Sequence, residues 1–181
     1  MIKVQDNYLP NPLFQKLQEY CYQNNFERVQ AGEKEFEILK VPPEILPYLE
    51  IEGYEMNLSF IRRAHKDFDT DWRIHADNII NGKKTLLASV LYINKAEGVS
   101  ENGTAMWIHE KYGTHLPDDA SNEEFDRLLL EDSNDLRRWE KCDYIKSVPN
   151  RLLTYSATIF HSKYPNAIEQ GERIVLVAFY C

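Results

Sequence analysis

Hydrophobic positions change their period part-way along this chain, and the change separates two kinds of structure. In residues 12–21, Leu13, Phe14, Leu17 and Tyr20 recur at helical spacing, with Asn11 placed to cap the helix and Pro12 at its first position. Pro42, Pro43 and Pro47 then predict irregular backbone, because proline fixes φ and lacks an amide donor. From about Tyr54 the period drops to two. Met56, Leu58, Phe60 and Arg62 alternate with Asn57, Ser59 and Ile61, which predicts a strand. Residues 85–94 place Leu86, Ala88, Val90 and Tyr92 on one face and Leu87, Ser89, Leu91 and Ile93 on the other. Apolar residues on both faces mark a strand enclosed between two layers. Residues 104–109, after a turn-like segment at 97–103, continue the series, as do 151–159 and, beyond a loop at 164–171, 173–180. Strands this close together predict an antiparallel barrel or jelly roll rather than βαβ units.

One stretch departs from period two. Residues 110–147 read as a helical insert: Ser121 and Glu124 form a capping box, Phe125, Leu128 and Leu129 a short apolar stripe, and residues 135–141 a second helical piece. No repeat, low-complexity tract or Gly/Ser linker divides the chain, so residues 1–181 are expected to form a single domain.

Composition narrows the class. The 181 residues are 43% hydrophobic and 28% charged, enough apolar surface for one core and too much for a disordered chain. The longest apolar run, at 174–181, is too short to cross a bilayer, so no membrane association is expected. A net charge of −8 argues against phosphate-backbone binding, and no nucleic-acid partner is expected. The insert holds 11 acidic and 6 basic residues, so most of the excess charge is local to it. Cys21, Cys142 and Cys181 are few and far apart, and Asp6 and Pro10 interrupt the place of a signal sequence. A reduced, cytoplasmic setting is expected.

The candidate chemistry lies among the strands. His75-Ala76-Asp77 is an H-x-D pair, and in extended backbone residues i and i+2 share a face, so both side chains can reach one ion. Alone, such a pair also describes a surface histidine beside a turn aspartate. Further on, residues 150–161 form an apolar strand ending in His161, 84 residues beyond Asp77. Twelve residues after that, Arg173 opens the last strand on the same face as Val175, Val177 and Phe179. An arginine on an apolar face is costly without a carboxylate, and a ligand carboxylate would satisfy its fork.

His75-x-Asp77, His161 and Arg173, in this order and spacing, resemble the Fe(II)- and 2-oxoglutarate-dependent oxygenase superfamily, in its prolyl-4-hydroxylase-like branch. Residues 2–9 resemble that family's opening strand, 88–94 its strand after the H-x-D motif, and Asn102-Gly103-Thr104-Ala105-Met106-Trp107 its G-G-x-T-x-F segment. The resemblance implies a mainly β (α+β) fold, a double-stranded β-helix of cupin-like jelly-roll type, with an N-terminal helix and the helical insert. It implies Fe(II) held by His75, Asp77 and His161, with 2-oxoglutarate and O2 as cosubstrates and ascorbate as reductant. Arg173 would bind the 5-carboxylate of 2-oxoglutarate, with Tyr92 and Thr104 as hydroxyl partners. The implied activity is oxidative decarboxylation to succinate and CO2 coupled to hydroxylation of a substrate C–H bond.

Two positions depart from the family pattern. Asn102 replaces a glycine, where a turn conformation with positive φ would suit it, and no serine follows Arg173 at the second position. Asp77 is intact, which favours hydroxylation over halogenation. Trp72, Trp107 and Tyr155 are candidate pocket-wall residues, while His65, His109 and His115 lack ligand spacing, and Arg62 and Arg63 are expected to be solvated. The insert is expected either as a solvated face or as a lid at the barrel mouth, and an acidic lid would favour a neutral or basic substrate, small molecule or peptide side chain. A non-catalytic cupin-like binding module and a zinc hydrolase are the competing classes. Neither gives a reason for Arg173.

Overall fold

A computed structural model describes residues 1–31, 34–94, 102–165, 168 and 170–181. In chain order its strands are β1 (Ile2–Gln5), β2 (Glu27–Ala31), β3 (Lys34–Leu39), β4 (Met56–His65), β5 (Ile79–Ile80) and β6 (Lys83–Lys84). They continue with β7 (Leu87–Tyr92), β8 (Gly103–His109), β9 (Trp139–Lys146), β10 (Arg151–Ser156), β11 (His161–Tyr164) and β12 (Glu172–Tyr180). The α-helices are α1 (Asn11–Gln23), α2 (Leu46–Leu49) and α3 (Asn122–Arg127). The turn-like segment expected at 97–103 lies mostly outside the described residues, as does part of the loop after Tyr164.

Seven strands form one antiparallel sheet in the order β1-β10-β7-β12-β4-β3-β2, and three form a second, β11-β8-β9. The alternation along β12 explains the layering. Ile174, Leu176, Ala178 and Tyr180 point to one side, where they pack with Phe14, Leu17 and Cys21 of α1. Val175, Val177 and Phe179 point to the other, against Val90, Tyr92, Tyr155 and, from the second sheet, Met106. This is a jelly roll with α1 on the outside of its larger sheet. β7 is buried along its whole length, as its two apolar faces predict.

The helix starts one residue differently from the expected cap. Pro10, at φ −51° and ψ 135°, takes the cap position, and its carbonyl accepts the amides of Leu13 and Phe14, leaving Asn11 and Pro12 inside the first turn. The hairpin β2–β3 was not anticipated. Two further expectations are corrected. The apolar run at 151–159 is not a strand leading straight to His161. β10 stops at Ser156, whose carbonyl accepts the amide of Ile159, and this turn carries the chain from the large sheet to the small one.

The insert is helical only in part. Its capping box forms as expected, and α3 runs into a π turn at Leu128–Asp132 and a single 3-10 turn at Leu136–Arg138. Residues 139–146 are strand β9, paired with β8. Backbone pairing to a neighbouring edge, which no local pattern records, decides that segment. Nor do residues 110–138 line the central cavity. Leu116 and Leu128 pack instead on the outer face of the small sheet with Trp107, Trp139 and Phe160. The insert is therefore a cover for that sheet's apolar back, and the inference from an acidic lid to a neutral or basic substrate loses its premise.

Candidate metal centre

Between the sheets lies a cavity of about 150 Å³. His75 and His161 face each other across its wall through two reciprocal backbone hydrogen bonds, of 3.0 and 2.9 Å. The amide of Asp77 donates to the carbonyl of Ala157 at 2.8 Å, so both members of H-x-D are anchored to the segment carrying His161. The side chains of His75, Asp77 and His161 thereby offer ligand atoms that all lie within 4.8 Å of one another.

The tautomers follow from the partners. Nδ1 of His75 lies 2.8 Å from the carbonyl of Arg73, and Nδ1 of His161 lies 2.9 Å from that of Ile159. A carbonyl only accepts, so each Nδ1 carries the proton and each Nε2 turns a lone pair toward the site. Burial, with His161 beside it, pushes His75 down to about 4, so its ring is neutral at neutral pH. His75 Nε2 is 3.6 Å from Asp77 Oδ1 and His161 Nε2 is 3.3 Å from Asp77 Oδ2. Metal–ligand bonds of roughly 2.0–2.2 Å place adjacent ligand atoms about 3 Å apart, so the set fits one divalent ion bound on one face.

Tyr155 completes this cluster. Its hydroxyl sits 3.2 Å from Asp77 Oδ2 and 3.0 Å from His161 Nε2. Burial and the Asp77 carboxylate push the phenol well above its ordinary pKa, so it keeps its proton and serves as a donor.

Arg173 lines the same cavity. It is 8% exposed, and its Nε has no hydrogen-bond partner among the described residues. Its guanidinium carbon stands 5.9 Å from the centroid of the Tyr92 ring, and the Tyr92 hydroxyl is 2.7 Å from Oγ1 of Thr104. A buried guanidinium whose Nε lacks a partner has the charge and donor geometry that suit a carboxylate. Asn102 does not adopt the positive φ its position suggested. Gly103 is the constrained residue of that segment: a Cβ there would stand 2.1 Å from the carbonyl oxygen of Ile145 in β9.

The remaining candidates divide. Tyr155 and Thr104 line the cavity. Trp107 does not: alternation along β8 turns it outward with Ala105, where its indole donates to Ser162 Oγ at 2.9 Å. Trp72 is half-buried in the segment before His75 and lines no part of the cavity. His109 lies beneath the insert, 3.2 Å from Asp132. Sequence reasoning missed the rim, formed by Phe36, Arg62, Asp71, Arg73 and Lys163. Arg62 is not solvated as expected. It stacks on Phe36 and binds the carboxylate of Asp69 through both Nε and Nη2. Lys163 follows His161 by two residues on the same strand face, a signal that was available. Burial pulls its ammonium down to about 8.

Neither a family model nor a curated protein sequence matches this chain. Solved structures do, over 99% of its length. The α-ketoglutarate-dependent carbocyclase SnoK of nogalamycin biosynthesis superposes with a TM-score of 0.69 at 15% identity, covering 78% of that chain. HygX from Streptomyces hygroscopicus, with nickel, 2-oxoglutarate and hygromycin B bound, gives 0.58 at 10% identity and 82% coverage. A Pseudomonas putida prolyl-4-hydroxylase gives 0.55 at 12% identity and 91% coverage. At these identities the likeness is one of fold. The chain has the jelly-roll fold of the 2-oxoglutarate- and iron-dependent oxygenases, and no helix among its described residues is long and apolar enough to cross a membrane.

Proposed function

We propose that this chain acts as a single-domain non-haem iron dioxygenase, converting 2-oxoglutarate, O2 and a substrate C–H bond into succinate, CO2 and the hydroxylated substrate. The observation that carries this reading is the pairing, in one cavity, of a His-Asp-His ligand set with a buried arginine whose Nε has no hydrogen-bond partner among the described residues. A binding module needing only a metal has no use for Arg173, and a zinc hydrolase has none either.

His75, Asp77 and His161 would hold Fe(II), which when bound supplies the activation of O2. The two Nε2 lone pairs are directed by the carbonyls of Arg73 and Ile159, and Tyr155 steadies the carboxylate by donating to Oδ2, leaving Oδ1 for the metal. Arg173 would pair with the 5-carboxylate of 2-oxoglutarate, joined by Thr104 and by Tyr92 through it. Burial of these groups excludes water from the ion pair and strengthens it. The neighbours bracket the substrate: one is a viral collagen prolyl hydroxylase, another has hygromycin B bound. We take the substrate to be a peptide side chain or a small molecule.

The test is succinate formation from 2-oxoglutarate in air with added Fe(II), screened over peptide and metabolite pools. Wild type should yield succinate that a chelator abolishes, and His161→Ala should yield none. Succinate formation persisting in His161→Ala would overturn the reading.

A further inference from the structure

The rim of the cavity carries more positive charge than the metal and cosubstrate would consume. Four cations line the cavity as a whole, Arg62, Arg73, Lys163 and Arg173, against the carboxylates of Asp71 and Asp77. Arg62 is fully engaged by Asp69, just behind it. Arg173 is matched by the 5-carboxylate of 2-oxoglutarate on the reading above, and Asp77 with the 1-carboxylate neutralises a divalent metal. Asp71 then faces two cations, Lys34 at 2.6 Å and Arg73 at 3.2 Å. Lys163 has no carboxylate within ion-pair distance among the described residues. Its Nζ donates to the backbone carbonyl of Asp69 at 2.8 Å, which leaves two ammonium hydrogens directed elsewhere.

Lys163 stands opposite Thr104 in the pairing of β11 with β8, but its ammonium is tied to the loop after β4 and makes no hydrogen bond to Thr104 or Tyr92 among the described residues. Arg173 is buried beside the Tyr92 ring, whereas Lys163 is half-buried and tied to the loop that carries Asp69 and Asp71. Phe36 and Phe60 stand on the same cavity wall. We propose that the substrate is an anion: it presents a carboxylate to Lys163, with Arg73 as second cation, while an apolar body lies against Phe36 and Phe60. This deepens the oxygenase reading and rests on it. A cationic substrate would meet two uncompensated positive charges at the rim, and a neutral one would leave Lys163 unpaired as water is excluded.

The test compares N-acetyl-L-phenylalanine with its uncharged carboxamide, by calorimetry on the anaerobic protein loaded with Fe(II) and 2-oxoglutarate. Wild type should bind the carboxylate tenfold or more tightly than the amide, the ordinary return of one charge-assisted hydrogen bond. Lys163→Met should bring the ratio within about twofold while the Kd for 2-oxoglutarate, read from the visible band of the loaded protein, stays within about threefold. Arg73→Gln should lower the ratio by a smaller factor and serves if Lys163→Met does not fold. Equal binding of the two probes, or binding of neither, overturns the proposal while the band shows the oxygenase reading intact. So does a tenfold loss of 2-oxoglutarate affinity in Lys163→Met, which would assign the lysine to the cosubstrate. Absence of the band in wild type would instead refute the parent reading, and this one with it.

Discussion

Replacing Arg173 with methionine should make the metal-free protein more stable while destroying its affinity for 2-oxoglutarate. Arg173 is 8% exposed, its Nε has no partner among the described residues, and its guanidinium carbon has the Tyr92 ring centroid at 5.9 Å. An unsatisfied buried polar group costs about 1–3 kcal/mol, more when charged, and a cation–π contact at that range returns under ~1 kcal/mol. Methionine fills similar space without the charge, so unfolding in urea should show a gain of about 1–2 kcal/mol. In a chain of this size that is roughly 2–8 °C in Tm. The same substitution removes the fork that would bind the 5-carboxylate, and 2-oxoglutarate affinity should fall by roughly 100-fold or more, as for truncation of one partner of a buried charge pair. If Arg173→Met instead destabilised the metal-free protein, the arginine would be serving the fold, and the case for a ligand carboxylate would fail.

Three other substitutions probe separate links. Tyr155→Phe keeps the ring but removes the donor to Asp77, and metal affinity by competition with a chelator should weaken roughly tenfold; an unchanged Kd would show that the hydroxyl does not orient the ligand. Gly103→Ala forces a Cβ to within 2.1 Å of the Ile145 carbonyl, so β8 and β9 must separate, and the urea midpoint should fall by an amount equal to about 2–3 kcal/mol. Asp71 resists burial, which alone would raise its pKa, because Lys34 and Arg73 hold it at about 2, below the ordinary 3.8. A depressed carboxylate stabilises the fold above the unfolded value and loses that contribution as pH falls through the folded one. The stability difference between wild type and Asp71→Asn should therefore be full at pH 5 and shrink between about pH 4 and about pH 2; a difference independent of pH would mean that the carboxylate's charge contributes nothing.

What could be read from the residues, and what could not, follows from the range of the interactions involved. β12 was legible because its two faces meet two apolar layers, so period two shows directly as Ile174, Leu176 and Ala178 against Val175, Val177 and Phe179. β9 was not, because it is an edge strand with only Trp139 and Ile145 buried, and the charged residues Glu140, Lys141 and Asp143 mimic a solvated helix. Its conformation comes from pairing with β8, in a register that sets Trp139 opposite His109 and Lys146 opposite Gly103. The His-Asp-His set and Arg173 were readable as spacing, but their convergence depends on the turn after Ser156. Trp107 was misjudged against a rule already in hand, since alternation from the inward Met106 turns it outward. The same rule applied from His161 would have found Lys163. The place of the insert on the small sheet's back, rather than over the cavity, depends on which apolar face lacked a partner, and that is a property of the assembled sheets.

The metal–cosubstrate chelate is the most direct object to measure. Anaerobic addition of Fe(II) and then 2-oxoglutarate to the wild-type protein should produce a weak visible charge-transfer band that neither addition yields alone, and His161→Ala and Asp77→Ala should fail to form it. Absence of the band in wild type, or its persistence in both variants, would contradict the assignment of His75, Asp77 and His161 as an iron site facing 2-oxoglutarate.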